Sequence, residues 1–266
     1  FRTREFEQME IEFFTQPNKE DDCPCFKEVE NLTVNLLTAK DQNKKDVKHK
    51  KAKIKSLVKD NLLTKWHGYW LAQQYRWFLD LGLKPENIRI REHLKKELAH
   101  YATACFDIEY NFPFGWKELY GNAARGDFDL KQHQKFSGKS MELFDEDSKK
   151  KFLPVVVSEP SQGLGRVFLA LLFDAYNDDK KRGNIVLKLD SKIAPLKVGV
   201  FPLLANKPKL TLLAQKVFKN LNKEFSSFFD KSGSIGRRYA RADEVGVPIC
   251  VTVDFDSLKN KDVTIR

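Results

Sequence analysis

The stretch Ser158-Glu159-Pro160-Ser161-Gln162-Gly163-Leu164-Gly165-Arg166 joins a strand-like run, 155–158, to an apolar helical run, 167–176. Glycines between a strand and a helix let a ligand come close to the backbone, and Arg166 stands where the helix begins, ready to meet an anion. The spacing fits neither the G-x-x-x-x-G-K-[ST] phosphate loop nor the G-x-G-x-x-G dinucleotide turn. The junction is therefore a candidate ligand site whose chemistry must come from its neighbours.

Upstream, residues 6–14 alternate: Glu10 and Glu12 share one parity, while Met9, Ile11 and Phe13 share the other. Period two predicts a strand with one acidic and one apolar face. The pattern dissolves over 15–63, where Asp, Asn and Lys dominate, with a dense basic run at 44–59. This segment reads as a lysine-rich, partly helical insertion. Aromatic and apolar residues then recur at helical spacing over 66–81 and stop at Gly82, which predicts a helix with a glycine cap. Strands are expected at 102–110 and 116–123, and 125–150 reads as a long polar loop. Past the charged turn at 178–183, strands at 185–189, 197–202 and 248–255 alternate with helices at 210–225 and 240–245, as in a compact α/β module. The expected organisation is a first domain, 1–183, and a second, 184–266.

Three clusters carry charge or ligand-binding groups. Arg2, Arg4 and Phe6 precede the acidic strand, so guanidinium forks for phosphate oxygens stand beside an aromatic ring suited to a purine. The Glu159 to Arg166 junction is the second. Trp116-Lys117-Glu118-Leu119-Tyr120-Gly121 is the third, with Glu118 on a strand that can face the same site. Taken alone, the first cluster reads equally well as a charged surface hairpin, and Arg4 and Glu12 suit a salt-bridged strand face.

Together the clusters resemble the class II aminoacyl-tRNA synthetases, in particular the dimeric glycyl type. Residues 2–12 resemble the second half of that class's motif 2, and 156–166 its motif 3, with E-P-S-x-G-x-x-R in the glycyl form. The intervening core is similar at His100-Tyr101-Ala102, at Asp107 and along 118–130. Ala194-Pro195-x-Lys197-Val198 and residues 233–246 resemble the family's anticodon-binding domain. The resemblance implies an α+β fold: an antiparallel catalytic sheet with helices, then a mixed α/β anticodon-binding domain. It implies glycine–tRNA ligase activity with ATP and Mg²⁺, tRNA-Gly as partner, a cytoplasmic homodimer and no membrane.

Residue by residue, the resemblance assigns Arg2, Glu118 and Arg166 to catalysis. ATP binding falls to Phe1, Arg2, Thr3, Arg4, Glu5, Phe6, Glu118, Leu119, Gly163, Leu164, Gly165 and Arg166, with Glu118 also holding Mg²⁺. Glycine binding falls to Phe6, Glu7, Gln8, Met9, Glu10, Arg125, Glu159 and Ser161. For tRNA, Arg237, Arg238 and Arg241 in the loop 233–241 are the candidates. A capping loop whose arginines pair with Asp243 and Glu244 is the competing reading.

Motif 1 and the first strand of motif 2 are not found, there is no initiator Met, and the family's last helix is missing. A fragment of a longer protein is expected. The formal charge of +10, from 47 Lys+Arg against 37 Asp+Glu, suits a polyanionic partner, although Lys-rich composition alone can produce it. Hydrophobic residues at 41% exclude a disordered chain, and no apolar run approaches the ~18 residues of a membrane span. Cys23-Pro24-Cys25 lacks zinc-knuckle spacing, and the five His are scattered, so no Cys/His metal site is expected. A non-catalytic, nucleic-acid-binding relative is the alternative; threonyl, prolyl or histidyl enzymes fit less well.

Overall fold

The computed structural model describes residues 6–44 and 47–266. The chain divides into two compact units, one ending at Ala170 and one beginning at Leu171, earlier than the expected 183/184 boundary.

The first unit contains β1 (Gln8–Glu10), β2 (Phe13–Thr15), β3 (Thr33–Leu37), α1 (Ala39–Gln42), β4 (Lys50–Lys53), α2 (Ile54–Lys59), α3 (Lys65–Asp80), β5 (Ile88–Glu92), β6 (Ala104–Phe112), β7 (Gly115–Ala124), α4 (Phe128–Ser137), β8 (Leu143–Asp145), β9 (Lys150–Phe152), β10 (Val155–Gly163) and the start of α5 (Leu164–Ala175). An eight-stranded sheet runs in the order β1-β10-β7-β6-β5-β3-β4, with β2 also on β10. Every pairing is antiparallel except β3 with β5.

Thr64 caps α3 by accepting the His67 N–H, and Gly82, at φ 100°, ends it in a conformation that suits glycine. The stripe Leu71, Ala72, Tyr75 and Phe78 is buried. It lies on the sheet face presented by Phe106, Ile108 and Tyr120, with the Phe78 and Tyr120 rings 6.3 Å apart. Polar groups on this face are satisfied internally: Ser158 Oγ donates to Asn122 Oδ1 at 2.8 Å, and Gln74 Nε2 to Gln162 Oε1 at 2.8 Å. Burial pushes His67 down to about 4, so its ring is neutral where it meets the Asn122 carbonyl at 3.2 Å. Helix α3 thus seals one face and leaves the other face of the strands to polar residues.

Two sequence readings gain detail here. Residues 15–63, read as a lysine-rich insertion, join the main sheet through β3 and β4, and Val34, Leu36, Leu37, Ile54 and Leu57 are buried in the core. The lysines of β4 lie on an edge strand, where charge discourages further strand pairing. Residues 125–150 are not a bare loop, since they hold α4 and part of the β8–β9 hairpin.

The second unit holds the end of α5, β11 (Tyr176–Asp179), β12 (Asn184–Leu187), β13 (Val198–Pro202), α6 (Pro208–Leu221), β14 (Ser227–Phe229), α7 (Ile235–Glu244), β15 (Ile249–Val253), α8 (Phe255–Asn260) and β16 (Thr264–Ile265). Strand β13 is central and parallel to β14 and β15, as the strand–helix alternation predicts. It is buried along its whole length, with α6 on Val198 and Val200 and Ala242 of α7 beside Phe201. The expected strand at 185–189 forms a separate hairpin with β11 instead. Gly246 sits at φ 74°, and an added Cβ would lie 3.0 Å from the Leu187 carbonyl oxygen and 2.8 Å from Leu189. Gly246→Ala should cost about 1–3 kcal/mol of stability, read as a lower Tm for the second unit; an unchanged Tm would show that this turn relaxes freely.

Candidate functional site

The uncovered sheet face of the first unit is organised by ladder register. Glu10 pairs with Ser161, Ser161 with Gly121, Gly121 with Asp107, and Asp107 with Arg91, forming one row across five strands. The next row contains Glu159, Ala123 and Cys105. Partners in a ladder share a face, so these side chains stand together opposite α3.

Register also explains Glu118. Ladder pairing steps from Ile108–Tyr120 to Glu109–Glu118, leaving Leu119 as an extra residue in β7. This β-bulge reverses the alternation and aims Glu118 at the polar face. A Cβ on Gly121 would lie 3.6 Å from Asp107 Oδ1 and 3.7 Å from Glu118 Oε1, so glycine leaves space between two carboxylates. Leu119 is fully buried, and any part it takes in the site is through its backbone.

Glu159 is the most perturbed acid of the face. Its carboxylate meets Arg125 Nη1 at 2.8 Å, while Arg125 binds Asp129 through Nη2 at 2.8 Å and lies over the Tyr101 ring at 4.1 Å. Burial, helped by a hydrogen bond with Glu10, pushes Glu159 up to about 7, although Arg125 pulls the other way. Burial and the like charge win. Gln8 Nε2 donates to Ser161 Oγ at 2.8 Å and to Glu10 Oε2 at 3.2 Å, tying β1 to β10 at the row's end. At the strand–helix junction Arg166 Nη1 donates to the Glu118 carbonyl at 3.0 Å and lies 3.7 Å from its carboxylate. A row of two carboxylates, a hydroxyl and a glycine, flanked by an arginine near an acid, suits a small ammonium-bearing ligand on one side and a phosphate-bearing one on the other.

In the second unit, residues 197–266 match the family model of the Anticodon binding domain. Along its length the chain is 43% identical over 268 residues to a glycine–tRNA ligase of Caldanaerobacter subterraneus subsp. tengcongensis. It is 39% identical over 276 residues to that of Corynebacterium glutamicum, and 40% over 269 residues to that of Acetivibrio thermocellus. These alignments take in 100% of this chain and 48%, 50% and 48% of the relatives. The chain is homologous to glycine–tRNA ligases. It spans about half the length of the curated relatives it matches, and its sheet and C-terminal unit agree with class II synthetase architecture.

Against that family's expected site, Glu10, Ser161, Glu159, Gln8 and Arg125 come together, as do Glu118 and Arg166. Phe1, Arg2, Thr3, Arg4 and Glu5 lie outside the described residues. Phe6 is exposed. Met9 is corrected: its alternation turns it to the other face, where it lines a groove with Ile11, Trp70 and Trp77. Glu7 accepts the Leu164 N–H through its carbonyl, which ties β1 to Gly163, Leu164 and Gly165 at the junction.

The expected tRNA loop, 233–241, is corrected too, because helix α7 begins at Ile235. Arg238 is buried, with its guanidinium donating to the carbonyls of Pro202, Ser232 and Gly233. It holds the turn together and is not available to RNA. Arg241 is exposed but pairs with Asp230 at 2.5 Å, not with Asp243 or Glu244, and Arg237 points outward. Residues missed from sequence are Asp107, Tyr101 and Asp129 as site members; the polar alternation of Asp107 and Glu109 inside an apolar strand was the available signal.

The opposing influences on Glu159 can be separated. Arg125→Gln should move its ionisation to higher pH, and Glu10→Gln to lower pH, by carboxyl NMR titration. Shifts of the same sign in both variants would contradict the assigned pairing.

Proposed function

We propose that this chain carries the amino-acid end of a glycine–tRNA ligase active site together with its tRNA-binding unit. The reaction is ATP-dependent: a glycine carboxylate oxygen bonds to the α-phosphorus, the bond to the bridging oxygen breaks, and pyrophosphate leaves. The glycyl group then passes to the 3′-terminal ribose of tRNA-Gly. The substrate carboxylate is the nucleophile, so the protein contributes position and charge rather than a covalent intermediate.

The observation that supports this reading best is the row Glu10–Ser161–Gly121 beside Glu159. Glu10 and Glu159 take the glycine ammonium, and Ser161 lies beside the α-carbon. A missing methylene is worth only ~1–3 kcal/mol, so pockets discriminate poorly against smaller ligands. Glycine has no smaller competitor, and a close wall excludes alanine and serine by clash. Arg125 positions Glu159 through the ion pair that Asp129 and Tyr101 brace. On the nucleotide side, Phe6 and Arg166 sandwich the adenine and Arg2 takes the γ-phosphate. Glu118, with Asp107 Oδ1 near it, offers the oxygen ligands a hard divalent cation requires, and Mg²⁺ held there would neutralise phosphate charge. The working enzyme is a cytoplasmic homodimer in this reading.

Glycine-dependent ATP–pyrophosphate exchange in the enzyme containing this chain tests the proposal, with alanine and serine as controls. Glu159→Ala should abolish exchange, whereas Ser161→Ala should chiefly raise the KM for glycine. Undiminished exchange in Glu159→Ala would overturn the assignment.

For the second unit, Arg237→Ala and Arg241→Ala should weaken tRNA retention on a filter while sparing exchange. Arg238→Ala should instead lower the Tm, because it strands buried carbonyl groups. Equal loss of exchange and tRNA binding in the two surface variants would remove them from the RNA contact.

A further inference from the structure

We propose that His93, Cys105 and Asp107 form a binding site for one borderline-soft divalent cation, Zn²⁺ fitting best, beside the glycine row. Sequence spacing hides this set, since the three residues match no Cys/His metal motif. The ladder creates it. Cys105 and Asp107 are two apart on β6, so both face the polar side, and the His93 N–H donates to the Cys105 carbonyl at 3.0 Å, bringing the imidazole opposite them. One ligand atom from each residue, an imidazole nitrogen, a thiol sulfur and a carboxylate oxygen, lies within 4.8 Å of the others. Tetrahedral zinc with bonds of ~2.0–2.3 Å holds its ligand atoms ~3.3–3.8 Å apart, so side-chain movement of about 1 Å closes the set.

The donor set selects the ion. Mg²⁺ and Ca²⁺ demand oxygen ligands, whereas one thiolate, one imidazole and one carboxylate suit zinc, with the remaining position open to water. His93 and Cys105 are only half-buried, which gives the ion a path in. His93 Nε2 and Asp107 Oδ2 are already 2.6 Å apart, joined by a hydrogen bond across the place an ion would occupy.

Local charge supports a cation as well. Asp107, Glu109 and Glu118 share this face. Arg89 is committed to Glu109 at 2.7 Å, and Arg91 is directed to Glu97 at 2.6 Å and to Gln42 at 3.1 Å, leaving its nearest approach to Asp107 at 3.7 Å. Asp107 is thereby divided between two tasks, with Oδ1 near Glu118 and Gly121 and Oδ2 toward His93.

The test uses the full chain after EDTA treatment and dialysis, with Zn²⁺ and Co²⁺ as probes. Calorimetry should find one Zn²⁺ per chain, and Co²⁺ should give a sulfur-to-cobalt charge-transfer band. Cys105→Ser should abolish the band, and His93→Ala should weaken Zn²⁺ binding at least about tenfold. A Cys23→Ser/Cys25→Ser/Cys250→Ser variant should retain both signals, which separates this site from the other three thiols. A measurement without substitutions guards against misfolded variants: iodoacetamide should alkylate Cys105 in the EDTA-treated chain and be blocked by added Zn²⁺, read by peptide mass. No charge-transfer band in the unsubstituted chain, a band that survives Cys105→Ser, or alkylation indifferent to Zn²⁺ would each overturn the site.

Discussion

Strand β10 is hydrogen-bonded to β7 along one edge and to β1 and β2 along the other, so its register cannot shift without breaking ladders on both sides. That restraint holds the molecule's chemistry in place. Ser158 and Gln162 face α3, where Asn122 and Gln74 satisfy them, while Glu159 and Ser161 face the open side. A one-residue slip would exchange the two sets. It would bury a carboxylate under α3 and leave the Asn122 and Gln74 side chains without their partners. The core's demand for satisfied polar groups therefore also orients the row Glu10, Ser161 and Gly121 on the open face.

On the open face, burial and like charge compete with one arginine for control of Glu159. The burial that makes its carboxylate costly also strengthens its interaction with whatever cation satisfies it. Arg125 holds the group in place from one side, braced by Asp129 and Tyr101, and Gln8 ties Glu10 to Ser161 from the other. Side chains positioned before a ligand arrives need less ordering when it binds. The bulge at Leu119 serves the same face by turning Glu118 toward Asp107 and Arg166, and Gly121 keeps the space between the two acids free.

In the second unit, three arginines within five residues look like a single cationic patch. The fold gives them different tasks. Arg238 donates to the carbonyls of Ser232 and Gly233 in the turn before α7 and to that of Pro202 at the end of β13, Arg241 ties that turn to Asp230, and Arg237 faces outward. Charge density along a chain overstates the charge available to a partner whenever the guanidinium groups are needed to satisfy carbonyls.

Features that depend on neighbours in the chain were legible from sequence. The apolar period and glycine stop of α3, the opposed faces of 6–14, the strand–helix alternation of the second unit, and the ordered motifs around Glu10, Glu118 and Glu159 are local patterns. Periodicity and capping act within a few residues, so each leaves its mark in one short window. Only tertiary structure could decide that β3 and β4 belong to the main sheet, that a bulge re-aims Glu118, that Arg238 is internal, and that His93 stands against Cys105. Each of these depends on which strand or loop lies alongside. Pairing between residues distant in sequence is set by the joint burial and hydrogen bonding of both partners, and neither partner's sequence carries that information alone.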